Sequence, residues 1–206
     1  PSGAQGKDIV VLMPSTTNNY LAEYAKGARE EGTKLGYNVQ IIENNFKQEE
    51  QDVQVQQQLA KAQKPVAYVW WPADNAAGMA SLKALSASKV PVFFTNQYPI
   101  AGSEDLWVAY AGVDDFLNGR VAGELTIQVR DELKKAGLKL HSEGGNVLIV
   151  TFPQGYSAGA DRVKGFMEAI KGSGIQVLAE QPAGFDETQG YNVAAQMIAG
   201  NKAKGI

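Results

Sequence analysis

Two kinds of apolar run alternate along the chain. Residues 9–13 form an unbroken apolar stretch closed by Pro14, the pattern of a strand buried on both faces and therefore of a parallel sheet. Beyond it Leu21, Tyr24, Ala28 and Leu35 recur at helical spacing, with Gly36 as a stop signal. The same unit repeats, with strands predicted over 38–42, 66–71 and 90–95 and helices over 49–63 and 75–88. A fifth strand is read at 108–112, and a long helix follows over 115–136. Strands alternating with helices of roughly 10 to 15 residues imply βαβ crossovers, hence a parallel sheet with helices on both faces.

After the polar, glycine-containing stretch 137–145 a second series begins. It holds a strand at 146–152, a helix at 160–171, a strand at 175–180 and a helix at 188–199. The chain stops where the rhythm calls for another strand. Two strands and two helices bury too little surface to offset chain entropy comfortably. The expected organisation is α/β, with two Rossmann-like parallel-sheet lobes joined by a hinge: an N-terminal ligand-binding lobe at 1–113 and a partial C-terminal lobe at 114–206. Continuation beyond residue 206 is expected.

Composition narrows the function. A net charge of −3 and the absence of a Lys/Arg cluster argue against nucleic acid, whose phosphates demand cationic partners. No stretch approaches the ~18 apolar residues of a membrane span, and the polar start Pro1-Ser2-Gly3-Ala4-Gln5-Gly6 is not a signal sequence, so an export signal is expected to have been removed already. Without cysteine there is no disulfide, thiol nucleophile or thiolate metal site.

In open parallel sheets ligands bind at the carboxyl ends of the strands. The first strand ends in Ser15, Thr16, Thr17, Asn18, Asn19 and Tyr20; the third in Trp71, Pro72, Ala73 and Asp74; the fourth in Asn96, Gln97 and Tyr98. In the second series one strand ends in Pro153, Gln154, Gly155 and Tyr156, and the next runs to Phe185 and Asp186. Amides donate and accept as sugar hydroxyls do, while aromatic faces pack on the C–H side of a sugar ring. An acid or phosphate would favour Arg, Lys or a glycine-rich cradle, and neither G-x-G-x-x-G nor a P-loop occurs. The ligand-binding candidates are Ser15, Asn18, Asn19, Tyr20, Trp71, Asp74, Asn96, Gln97, Tyr98, Tyr156 and Phe185.

Each candidate also has a purely structural reading. Asn18, Asn19, Asp74 and Asp115 stand where helices begin and suit caps, and Asp186 with Gln189 has capping-box spacing. Of the adjacent Trp70 and Trp71 at least one should pack under a helix, and Phe93 and Phe94 read as core. His141, the only histidine, sits among Lys139, Ser142, Glu143 and Gly144 and reads as an exposed loop residue. The pairs Asp114-Asp115 and Glu49-Glu50 lack metal-loop spacing. No catalytic group, metal site or cofactor is expected, and an enzyme ranks behind a binding protein.

Several segments resemble the periplasmic sugar-binding proteins of ABC transporters, the family typified by ribose-binding protein. They are residues 15–20; Gly27-Ala28-Arg29-Glu30-Glu31-Gly32 running to Leu35-Gly36-Tyr37; Val90-Pro91-Val92; Gly112-Val113-Asp114-Asp115 leading to Gly119 and Ala122-Gly123; and Arg162-Val163-Lys164-Gly165-Phe166. The resemblance covers nearly the whole chain but about the first two thirds of the family's usual length. It implies two hinged lobes closing on a ligand, an exported periplasmic protein, and delivery of a small neutral sugar or polyol to an ABC-type permease. A monomer without cofactor, membrane insertion or nucleic-acid binding is expected. A sensor or regulator core on the same fold, and less so a carbohydrate-acting enzyme, are the alternatives. The family's contacts fall on Ser15, Asn19, Asn96, Gln97 and Phe185, with ring stacking near Tyr20 or Leu21. Where ribose binders carry an Asp-Arg pair this chain has Asn96-Gln97, and Ala160 replaces an Arg. Loss of forked charged donors argues against ribose itself, and Tyr98, Trp71 and Tyr156 could fill the vacated space.

Overall fold

The computed structural model describes residues 7–153 and 156–206. The readings placed on Pro1–Gly6 and on Gln154 and Gly155 fall outside the described residues. The chain separates into two compact units, Pro1–Val113 and Asp114–Ile206.

The first unit is built on β1 (Asp8–Met13), α1 (Asn19–Lys34), β2 (Asn38–Glu43), α2 (Gln48–Ala60), β3 (Ala67–Trp70), α3 (Met79–Ala87), β4 (Val92–Asn96) and β5 (Ala109–Gly112). The five strands form one sheet in the order β2-β1-β3-β4-β5, and every pairing is parallel. The continuous apolar run of β1 is explained by its period of two between two covered faces. Val10 and Leu12 join Tyr68, Trp70, Val92 and Phe94 under Val55 of α2 and Leu82 and Leu85 of α3. Val11 and Met13 point the other way, with Leu21 and Ala25 of α1 and Trp71.

Several predicted boundaries move, each for a local reason. The helix expected from Asn75 starts at Met79. The Asp74 carboxylate accepts from the backbone N–H groups of Ala76 and Ala77 and closes a turn ahead of it. The helix expected to reach Gln63 ends at Ala60, where Lys61 turns extended. The fourth strand starts at Val92 rather than Val90, because Lys89 sits at φ 66° and Pro91 has no N–H to offer. Phe94 is core as expected, but Phe93 is 39% exposed and is not.

The second unit holds α4 (Asp115–Lys135), β6 (Asn146–Thr151), α5 (Ser157–Ala169), β7 (Gln176–Pro182) and α6 (Glu187–Asn201). The parallel pair β6-β7 is its whole sheet among the described residues, and Lys202–Lys204 form a single 3-10 turn. The helix α5 begins three residues earlier than its pattern suggested. The packing of α4 on α5 is the most extensive helix–helix contact among the described residues. It is made possible by Gly119, Gly123 and Gly165, where a Cβ would run into the opposing helix. Along α4, Leu117, Val121, Leu125, Val129 and Leu133 recur every four residues and are exposed. The second unit thus buries far less apolar surface than the first. Its buried hydrophobic residues, among the described residues, are Ala158, Ile170, Ala183 and Met197.

Candidate functional site

In the first unit the carboxyl ends of β1, β3 and β4 come together. After β1, Ser15 is buried, donating to Thr17 Oγ1 at 3.1 Å and accepting from the Thr17 N–H. Thr16 gives both its N–H and its hydroxyl to the Glu43 carboxylate, at 2.7 and 3.0 Å. Asn18 caps α1 by accepting from the Leu21 N–H at 2.9 Å, and Asn19 is exposed in the first turn. Tyr20 is 63% exposed, yet its hydroxyl donates to the Asn96 side-chain oxygen at 3.0 Å, across 76 residues of sequence.

The ends of β3 and β4 are tied to each other. Gln97 is fully buried and donates through Nε2 to the Pro72 carbonyl at 2.7 Å, while Asn75 Nδ2 donates to the Tyr98 carbonyl at 2.6 Å. Trp71 is 2% exposed and belongs to the core on the α1 side of the sheet. The ring edges of Tyr20 and Tyr24 meet it at centroid distances of 6.0 and 5.0 Å. Burial pushes the Tyr24 phenol pKa up, opposed by its hydrogen bond with Thr95. Tyr98 is 56% exposed and packs edge-on to Tyr110 at 5.4 Å.

Asn96 is the pivot of this end of the sheet. Its φ of 68° lies in the left-handed region, which asparagine tolerates better than most side chains. Tyr110 Oη stands 2.9 Å from the Asn96 carbonyl oxygen and 2.6 Å from that of Val113, sharing its proton between them. Gly112 permits the approach, since a Cβ there would stand 2.6 Å from the Tyr110 ring and 2.8 Å from the Asn96 nitrogen. The structure therefore joins Tyr20, Trp71, Asn96, Tyr98 and Tyr110 in one cluster. Ser15, Asn18 and Asp74 serve their own loops and turns, and Gln97 ties two strand ends.

The charge inventory of these three ends is short. Asp74 is engaged by its turn, and the Glu43 carboxylate is held by Thr16. No Arg, Lys or His lies within 15–20, 71–74 or 96–98. What the cluster offers is amides, hydroxyls and two exposed phenol rings.

In the second unit Tyr156 and Phe185 meet at 5.1 Å, edge to face, and Phe152 stacks on Phe185 at 5.5 Å. The Arg162 guanidinium lies over the Phe152 ring at 5.0 Å, and its Nε donates to Asp115 Oδ1 at 2.8 Å. Sequence reasoning placed Asp115 as a helix cap. The structure instead has Asp114 capping α4 through the Leu117 N–H, and Asp115 buried against Arg162. Phe152, Arg162 and Tyr110 were not among the candidates. The reach of Tyr110 to Asn96, fourteen positions apart, was hidden from the sequence, whereas Phe152 directly follows a strand and was legible there. A groove of about 650 Å³ is lined by Asn118 to Thr126 on one face of α4, by β6 from Val147 to Thr151 with Phe152, by Arg162 and Phe166 of α5, and by Ala183 and Gly184 after β7.

Comparison with known proteins agrees with this architecture. The ribose import binding protein RbsB of Salmonella typhimurium is 30% identical over 198 residues, which are 96% of this chain and 62% of that protein. The galactofuranose-binding protein YtfQ of Escherichia coli is 26% identical over 187 residues, covering 87% of this chain and 53% of that one. Among solved structures, the Caulobacter myo-inositol binding protein bound to myo-inositol superposes with a TM-score of 0.82 at 18% identity, over 98% of this chain and 64% of that chain. The crystal structure of a galactofuranose binding protein gives 0.81 at 23% identity, over 95% and 62%. The two structures show the shared fold, and the chain spans less than two thirds of the length of each of these relatives. With residues 9–206 matching its profile, the chain belongs to the periplasmic binding protein domain family.

Proposed function

We propose that this chain belongs to an exported, periplasmic solute-binding protein that captures a neutral sugar or polyol and passes it to an ABC-type permease. The observation that carries the neutral-ligand reading is the lining of the β1, β3 and β4 ends. Its amides and hydroxyls match the mixed donor and acceptor pattern of a polyol, and residues 15–20, 71–74 and 96–98 hold no Arg, Lys or His to pair with a carboxylate or phosphate. The relatives named for ribose and galactofuranose, and the neighbour solved with myo-inositol, support the same ligand class.

The polar contacts are assigned to Asn19, Asn96 and Tyr98, residues that are at least partly exposed, with the Tyr20 hydroxyl beside Asn96. Ser15, Asn18, Trp71, Asp74 and Gln97 shape the site from behind. In the second unit Tyr156 and Phe185, joined by Phe152, offer a stacking surface. The protein acts as a monomer, without cofactor and without catalysis, and without nucleic acid as a partner.

The test is a thermal-shift screen of the full-length protein against D-ribose, D-allose, D-galactose, myo-inositol and glycerol, alongside organic acids. A bound ligand stabilises the folded state by mass action, about 2.7 kcal/mol at a hundredfold excess over Kd. A neutral polyol should raise the melting temperature. A response to organic acids alone would refute the assignment.

A further inference from the structure

We infer that Tyr20 is a positioning residue: by occupying the side-chain oxygen of Asn96 it turns the Asn96 Nδ2 group outward as a neutral hydrogen-bond donor for an acceptor oxygen of the ligand. This rests on the neutral-ligand reading above and assigns the direction of one of its hydrogen bonds.

Asn96 is held on two sides. Its carbonyl oxygen lies 2.9 Å from Tyr110 Oη, and its side-chain oxygen accepts from Tyr20 Oη at 3.0 Å. The left-handed backbone at φ 68° fixes where the carboxamide leaves the chain, and the close approach of Gly112 keeps Tyr110 beneath it. A carboxamide has one acceptor oxygen and one donor nitrogen, so fixing the oxygen fixes the nitrogen. Asn96 is neither exposed nor fully buried, so its carboxamide keeps some access to solvent.

Tyr20 is suited to this role and poorly suited to a purely structural one. A tyrosine 63% exposed adds little to the core, yet its ring is braced edge-on by Trp71 at 6.0 Å, and Trp71 is braced in turn by Tyr24 at 5.0 Å. The orienting contact spans 76 residues, joining the first turn of α1 to the end of β4. A ligand that needs an acceptor at this point would lose to one that offers a hydroxyl or ring oxygen. The site therefore selects for oxygen-rich neutral molecules without a guanidinium.

The experiment uses side-chain amide spectra of the full-length protein labelled with 15N-asparagine, the Asn96 pair being assigned by its disappearance in Asn96→Gly. Without any sugar, Tyr20→Phe should shift and broaden that pair while leaving the melting temperature within a few degrees of wild type. Titration with D-ribose, D-allose and myo-inositol follows. With the sugar that binds wild type, the Asn96 pair should move on saturation, and Tyr20→Phe should weaken binding about fivefold, the usual scale of one hydrogen bond. An unchanged Asn96 pair in sugar-free Tyr20→Phe, or equal affinity of the two proteins for that sugar, overturns the inference. If none of the sugars binds wild type, the neutral-sugar reading fails, and the sugar-free spectra still decide whether Tyr20 orients Asn96.

Discussion

The crossing of α4 over α5 gives the sharpest quantitative test of the architecture. Replacing Gly119 by Ala would set a Cβ against the Arg162 carbonyl oxygen, 2.7 Å from its carbon and 2.8 Å from the Arg162 Cα. Carbon atoms pack at roughly 3.5–4.0 Å, and the obstacle is backbone, so the two helices must part by about 1 Å. A gap of that size forfeits about a quarter to a half of each dispersion contact across it. Overpacking of this kind costs about 1–3 kcal/mol, and a rigid backbone neighbour places Gly119→Ala at the upper end. Alanine returns about 1 kcal/mol through helix propensity, leaving a net loss of about 2 kcal/mol. The internal control is Gly190→Ala in α6, where a Cβ meets nothing within 4 Å. There only the propensity gain operates, and stability should rise by about 0.5–1 kcal/mol. Amide hydrogen exchange, read separately for α4 and α6 and for β1 as a reference in the other unit, measures both. If Gly119→Ala protects α4 as well as wild type does, or better, the close helix crossing is wrong.

Other expectations follow from the same contacts. Trp71→Ala should cost about 3–5 kcal/mol in urea unfolding, because the side chain is core. Trp71→Phe should cost markedly less, since it keeps a ring and removes an indole N–H that is buried without an acceptor among the described residues. Asn18→Ala should cost about 1 kcal/mol by removing the cap on Leu21 N–H, with Asn18→Gly closer to wild type. Tyr24 and Tyr68 both have phenol pKa values raised above 10.0 by burial. The folded state then holds their protons longer than the unfolded state does. Stability should be intact below pH 10 and fall as pH rises through the raised values. Tyr24→Phe should flatten part of that alkaline loss in a pH series of urea midpoints, and an unchanged slope would refute the assignment.

The convergence of strand ends was legible in outline. Strand ends can be found from apolar runs followed by polar, turn-forming residues, and three such ends do converge in the first unit through Tyr20, Asn96, Gln97 and Asn75. The role of each residue was not legible, because a side chain's partner depends on which way a loop folds back. Gln97 was read as a ligand contact, and its donation to the Pro72 carbonyl could not be read from the chain. Asp115 looked like a cap and instead holds Arg162.

What the sequence by itself determined is the alternation of strand and helix, the parallel sheet and the poverty of charge at its ends. All of these depend on periodicity and composition within short windows, where the nearest neighbours in space are also near in the chain. Tertiary structure alone decided that Trp71 faces the core, that Phe93 does not, and that Lys89 and Asn96 adopt left-handed backbone. It alone brought the Tyr20 hydroxyl to Asn96 and left room for two helices to touch at Gly119 and Gly165. Those outcomes arise from contacts between residues tens of positions apart, whose geometry is set by the packing of whole elements.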